Sequence, residues 1–281
     1  MKKNNTTLQV IGQDMHIMNP ALFQAVEQQD SRKMAAMAQQ QVTAGADALD
    51  LNLGATRKNN DQLSWAVQSI QQAVQVPLFI SSHALNRPEV MQSLQGRATI
   101  NSITADPAVM APAMRNAKEY NARLVVLLTR PGLTPFTADE RLQIANEVLE
   151  TAVQEGFPIT DLYLDPLFHL RPDPMTWQLS RGIPDIDSVL ETLVMLPQLS
   201  SERLHTVLAI STASQFLPTA ERSSLHQRLL PMLISSGLDA VILNCRDSKL
   251  MEIVCSLKSE QADMLPLPGE QAMAADTATT L

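Results

Sequence analysis

Short apolar runs alternate along the chain with longer segments of helical period. The runs fall at residues 8–11 (LQVI), 46–52 (ADALDLN), 77–81 (PLFIS), 98–103 (ATINSI), 123–129 (RLVVLLT), 161–165 (DLYLD), 205–210 (HTVLAI) and 239–244 (DAVILN). Several are almost continuously apolar, the pattern of parallel strands covered on both faces. Between them, helices are predicted at 31–44, 61–75, from Asn86-Arg87-Pro88 onward, and at 111–120, 137–156, 185–196, 219–236 and 248–259. Local chemistry marks several ends. Gly45 follows the first helix as a C-cap and Pro88 sits in the first turn of another. Thr137-Ala138-Asp139-Glu140 reads as a capping box, in which hydroxyl and carboxylate satisfy orphan amides.

Strict strand–helix alternation argues for a parallel sheet. Eight repeats in one chain of this size predict a (β/α)8 TIM barrel, a fold of about 250 residues. A doubly wound open sheet is the competing architecture. No G-x-G-x-x-G or G-x-x-x-x-G-K-[ST] loop follows any strand, which weakens its nucleotide-binding versions. The division expected is one barrel domain over residues 1–260 and an Ala/Thr/Pro-rich, flexible C-terminal tail over 261–281. The stretch 169–186, proline-rich and carrying Trp177, is long for a βα loop and is a candidate lid or partner contact.

Composition narrows the partners. Lys and Arg total 21 against 29 Asp and Glu, a net charge of −8. An acidic chain lacks the basic face that nucleic acid or anionic membrane requires. Aromatic residues are 4% of the 281, too few for base-stacking platforms. No run approaches the roughly 18 apolar residues of a membrane span, and the N-terminus has no signal-peptide core. The only cysteines, Cys245 and Cys255, build neither a disulfide framework nor a zinc pair. A reduced, cytoplasmic protein with no nucleic-acid or membrane partner is expected.

A barrel's chemistry sits at the C-terminal ends of its strands. The polar residues there are Gln13, Asp14 and His16; Asp50 and Asn52; Ser81, Ser82 and His83; Asn101 and Ser102; Thr129 and Arg130; Asp165 and His169; Ser211, Thr212 and Gln215; and Asn244, Cys245 and Arg246. Amides, hydroxyls and a few carboxylates can read a flat polar heterocycle. Plainer roles compete: Asp50 as a structural carboxylate, Asn52 and Asn101 as caps of backbone groups, and Cys245 as a packing residue. His16, His83 and His169 lie on separate loops without metal-ligand spacing, and no resident metal is expected.

These segments resemble a known family. Residues 45–54 (GADALDLNLG) are similar to the strand-two signature of pterin-binding barrels. Residues 98–102 (ATINS), 161–167 (DLYLDPL), 209–215 (AISTASQ) and 236–244 (SGLDAVILN) resemble its strands four, six, seven and eight. The likeness spans about residues 8–258 and is nearest to the methyltetrahydrofolate:corrinoid protein methyltransferases. The strand-one NVTPDSF loop and basic strand-eight motif of dihydropteroate synthases are missing.

The resemblance implies a methyltransferase. It would move a methyl group between N5 of methyltetrahydrofolate and the cobalt of a corrinoid (cobalamin) carried by a partner protein. It also implies a homodimer. In the family, carboxylates after strands three and six hold the pterin edge, helped by the strand-four Asn, and an Asn after strand seven bonds near N5. Carried over, Asn101 and Asp165 match, Asp50 and Asn52 match strand two, and Arg222 matches an Arg after strand seven. The implied substrate contacts are then Asp50, Asn52, Ser81, Asn101, Asp165, Ser211, Gln215, Arg222 and Asn244, with Thr212, Asp165 and Asn101 catalytic. Three places depart. Ser81 stands for the strand-three carboxylate, Thr212 for the strand-seven Asn, and Gly12-Gln13-Asp14-Met15-His16 for GERIN. These departures leave two alternatives: a corrinoid methyltransferase with another methyl donor, or a non-catalytic pterin-binding-like barrel. A corrinoid protein would also meet an acidic surface, unless Arg130, Arg171, Arg222 and Arg246 make the mouth basic.

Overall fold

Every strand of the main sheet is parallel to its neighbours, and the sheet closes on itself. The computed structural model describes residues 7–54, 61–171, 183–215 and 217–263. Its barrel strands are β1 (Gln9–Gly12), β2 (Ala48–Leu51), β3 (Leu78–Ile80), β4 (Thr99–Thr104), β5 (Arg123–Leu127), β6 (Leu162–Asp165), β7 (His205–Ala209) and β8 (Ala240–Leu243). Each pairs with its neighbours in sequence, and β8 pairs with β1 to close the barrel. This is the (β/α)8 TIM barrel that the alternation predicts.

The outer helices are α1 (Pro20–Gln28), α2 (Ser31–Thr43), α3 (Leu63–Gln71), α4 (Pro88–Ser93), α5 (Pro107–Glu119), α6 (Ala138–Glu155), α7 (Ile186–Met195), α8 (Thr219–Ser235) and α9 (Ser248–Asp263). The capping box forms as predicted: Thr137 Oγ1 accepts from the Glu140 N–H, and Glu140 accepts from the Thr137 and Phe136 amides. Gly156 ends α6 in the left-handed region at φ 60°. Helix α1 has no counterpart in the predicted elements, although Asn19 caps it from its side chain and Pro20 opens it. At nine residues it is shorter than the window over which a helical period is read, although Leu22, Ala25 and Val26 form its buried stripe. Helix α9 runs to Asp263, past residue 260, because Glu260, Gln261 and Ala262 all favour helix. The rest of the expected tail, 264–281, and most of the candidate lid, 172–182, lie outside the described residues. No helix among the described residues is long and apolar enough to cross a membrane.

Two apolar clusters share the core. The larger packs the helices against the outside of the sheet. The smaller fills the bore with Ile11, Ala48, Phe79, Val125, Tyr163, Val207, Ala240 and Ile242. Phe79 and Tyr163 meet edge to face, with ring centroids 6.0 Å apart. This plug gives the barrel a closed floor, so any ligand must sit above it.

Candidate functional site

Side chains alternate across a strand, so the residue two beyond a bore residue faces the bore again, one layer higher. Two residues beyond Ile11, Ala48, Phe79, Val125, Tyr163, Val207 and Ile242 stand Gln13, Asp50, Ser81, Leu127, Asp165, Ala209 and Asn244. On β4, Thr99 pairs with Phe79, and two residues on is Asn101. Thus all eight strands contribute to one ring at the mouth, and six of its members are polar. Asp50, Ser81, Asn101, Asp165 and Asn244, singled out from the sequence, share this ring.

The two carboxyls and the hydroxyl of the ring are buried, while its other members are half-buried. Asp165 is 4% exposed and Asp50 7%. Burial pushes the Asp50 carboxyl up from the usual 3.8 to about 6, against the opposing hydrogen bond from Asn101. Asn101 Nδ2 donates to Asp50 Oδ1 at 2.9 Å, and Asn101 itself stands where the β4–β5 register shifts. Burial pushes Asp165 further, to about 7, although the Leu167 amide and the charge of Arg141 favour its ionised form. Leu167 N–H donates to Asp165 Oδ1 at 2.8 Å. Two carboxyls therefore titrate close to neutrality beside an amide, a hydroxyl and an apolar floor. Such an arrangement suits a flat heterocycle that presents N–H donors at one edge.

Gln13 belongs to the same ring. Its Oε1 is buried with no partner among the described residues, so it is a ready acceptor. The sequence reading placed Gln13 at the mouth without giving it a role. Its setting depends on the glycine before it. A Cβ on Gly12 would come within 2.4 Å of Gln41 Oε1, the atom that accepts the Asp14 N–H at 2.9 Å. We expect Gly12→Ala to expel the Gln41 amide and cost about 1–3 kcal/mol in urea unfolding. An unchanged midpoint would show that Gln41 gives way freely.

Other predicted contacts lie on the loops above or beside the ring. Asn52 accepts the Gly54 amide at 2.9 Å, and Asn244, itself in the ring, accepts the Arg246 amide at 3.0 Å. Both side chains thus cap backbone while keeping their NH2 groups. Thr212 lies on the one-turn helix Ile210–Ser214 after β7, where its hydroxyl donates to the Ala209 carbonyl at 2.7 Å. Its proton is thereby engaged, leaving lone pairs. Ser211 is half-buried on the same turn, while Gln215 is exposed. Arg222, in the first turn of α8, donates to the carbonyls of Leu217 and Gln215 and so holds this loop.

Two of the four mouth arginines are paired with carboxylates, while Arg222 meets only backbone carbonyls among the described residues. Arg130 pairs with Glu147, and Arg246 pairs with Asp14 at 2.6 Å, joining the loops after β8 and β1. The Arg171 side chain lies outside the described residues. Cys245 is buried, and burial pushes its thiol up to about 12, so it is a packing residue at neutral pH. Among the described residues no three His, Cys, Asp or Glu side chains come together. His169 Nε2 is buried without a partner among them, and its ring meets Phe136 edge to face.

One supporting residue is absent from the sequence-derived candidates. Arg141, on α6, is wholly buried. It donates to the carbonyls of Pro166 (2.7 Å) and Leu167 (3.1 Å), to Ser188 Oγ (2.7 Å), and to Asp185. Its spacing from Ile144, Ala145 and Val148 puts it on the apolar stripe of α6, which is the signal that could have found it.

The chain is similar to known proteins along most of its length. The family model described as pterin binding enzyme matches residues 19–244. A methylcorrinoid:tetrahydrofolate methyltransferase of Eubacterium limosum is 20% identical over 251 residues, covering 86% of this chain and 87% of that protein. Dihydropteroate synthase from Xanthomonas albilineans in complex with 7,8-dihydropteroate has a TM-score of 0.67 at 12% identity, covering 94% of this chain and 96% of its own. The Yersinia pestis enzyme bound to a pterine-sulfa conjugate has a TM-score of 0.65 at 16% identity, covering 92% and 96%. At such identities the two structures show a shared fold.

Proposed function

Since the chain belongs to the pterin binding enzyme family, we propose that it transfers a methyl group between methyltetrahydrofolate and a corrinoid carried by a partner protein. The observation that carries this reading is the pair of buried carboxyls, Asp165 and Asp50, the latter bonded by Asn101, above a closed apolar floor. The name of the Eubacterium limosum relative supports the choice of reaction.

The 2-amino group and N3–H of a pterin are two parallel donors, the complement of one carboxylate. Asp165 takes that edge, with the Asp50–Asn101 pair and Gln13 Oε1 as further acceptors round the ring. Asn101, Asn52 and Asn244 supply NH2 donors for the ring carbonyl and N5 side. The corrinoid, when docked, supplies the cobalt centre that gives or receives the methyl group. The chain's own part is to hold the pterin with N5 toward the open mouth and to support the charge change there. Thr212 takes part by exchanging its bond to the Ala209 carbonyl for one to N5.

Isothermal titration with methyltetrahydrofolate tests the reading. Binding in the micromolar to low millimolar range, with tetrahydrofolate competing, is the expected result. Absence of heat at millimolar ligand would remove the reading. A second reading, another methyl donor, draws on Ser81. This buried hydroxyl stands in the ring without a charge, and charged hydrogen bonds are worth about 1.5–3 kcal/mol against about 0.5–1.5 for neutral ones. A donor with fewer N–H groups than a pterin would bind more tightly in that competition if this reading holds.

A further inference from the structure

We propose that Arg141 is a positioning residue for Asp165: its buried guanidinium locks the turn after β6 between α6 and α7, fixing the direction of the Asp165 carboxyl and the positive field around it. The inference rests on the functional reading only for what Asp165 binds.

Three features of the network carry it. First, the turn that Arg141 grips is the one that bonds Asp165. The Pro166 and Leu167 carbonyls accept from Nε and Nη2, and the Leu167 amide donates to Asp165 Oδ1. Leu167 is held at φ 51°, a left-handed conformation that a leucine adopts only when its surroundings enforce it. Second, the same guanidinium reaches across to the start of α7 through Asp185 and Ser188. Asp185 accepts the His169 amide at 2.8 Å on its other oxygen, and its own amide donates to the His169 carbonyl. Arg141 therefore ties together both ends of the segment that leaves the mouth after β6. Third, the charge is dry. Arg141 and Asp185 side chains are both fully buried, so solvent screens their charges much less than it would at the surface.

The charged and titratable groups on the elements packed round Asp165 include Arg141, Asp139, Glu140 and Glu147 on α6, Asp50 in the same ring, Arg123 and Arg130 on and after β5, Tyr163 on β6, His205 on β7, and His169 and Asp185 on the following segment. Among them Arg141 is the one whose charge acts on Asp165, and it favours the ionised form. Removing Arg141 should make ionisation of Asp165 harder. Removing the charge of Asp185 leaves Arg141 uncompensated and should make it easier.

The test is a direct titration of Asp165 in the ligand-free, full-length protein. Carbon-13 NMR of labelled aspartate would follow its carboxyl, assigned with Asp165→Asn. Arg141→Met should move the Asp165 midpoint up by about one pH unit. Asp185→Asn should move it down, and Arg141→Lys, which keeps the charge, should leave it near wild type. A midpoint unmoved in Arg141→Met, or moved in the same direction by Arg141→Met and Asp185→Asn, would overturn the proposal. If Arg141→Met does not fold, Asp185→Asn still decides: a midpoint that rises or stays sinks the idea. Methyltetrahydrofolate titrations on the same proteins separate this inference from the functional reading. Opposite shifts of Asp165 without folate binding would remove the function and keep the role of Arg141. Folate binding with unshifted midpoints would do the reverse.

Discussion

Asp165→Asn is expected to weaken methyltetrahydrofolate binding by roughly 30- to 150-fold at pH 8, and by about tenfold less at pH 6. Two donor bonds to a carboxylate lose about 1–1.5 kcal/mol each when the acceptor becomes a neutral amide, and each 1.4 kcal/mol is a factor of ten. The amide also turns an NH2 toward one of the donors. The pH dependence follows from where Asp165 titrates. With its carboxyl raised to about 7, wild-type protein is mostly protonated there at pH 6 and mostly ionised at pH 8. Only the ionised form accepts both donors, so wild-type affinity should rise through neutrality and the asparagine variant should stay flat. Calorimetric titration across this range measures both. A wild-type affinity that does not change between pH 6 and 8 would show that Asp165 is not the group that grips the donor edge.

The same two carboxyls should make the fold less stable as pH rises through the weakly acidic range. Asp165 goes from the usual 3.8 to about 7 on folding, and Asp50 to about 6. Between these limits the native state binds more protons than the unfolded chain, so unfolding becomes easier with rising pH. At about 1.4 kcal/mol per pH unit, Asp165 is linked to roughly 4 kcal/mol and Asp50 to roughly 3 kcal/mol. These contributions are fully present below pH 4. That of Asp50 is gone by about pH 6 and that of Asp165 by about pH 7. Asp165→Asn should therefore be more stable than wild type at pH 8 while binding folate worse, and the two should converge near pH 4. Urea unfolding at pH 4.5, 6 and 8 gives the comparison. A wild type that gains stability on the variant as pH rises would contradict the desolvation of Asp165. Loss of stability at the site that binds is the common trade between function and folding.

Much of the scaffold is written locally. The eight apolar runs became β1 to β8 within one or two residues at each end, because a strand buried on both faces must be apolar throughout. The ends of α6 were legible from Thr137, Glu140 and Gly156, since capping is chemistry between neighbours. Helix α1 was not legible, because its apolar stripe of Leu22, Ala25 and Val26 is shorter than the window over which a period is read. The candidate site was legible in part. Asp50, Asn101 and Asp165 stood out as polar residues at the ends of apolar strands, and their place in one ring follows from two-residue alternation and the closed sheet.

What only the tertiary structure decided are the states of these groups. Their burial near neutral titration, the use of Thr212's proton on Ala209, and the pairing of Arg130 and Arg246 with carboxylates depend on partners remote in sequence or on backbone geometry. Arg141 shows the limit most clearly. It lies 24 residues before Asp165 on a helix whose other charged residues are all acidic; its spacing places it on the apolar stripe, but its partners Pro166, Leu167, Asp185 and Ser188 are not written there. By itself, the chain's apolar pattern determined a parallel barrel with a polar rim, because burial of whole strands is a property of composition along the chain. The charge and proton positions on that rim were decided by packing, because they depend on which distant groups exclude water and which offer a hydrogen bond.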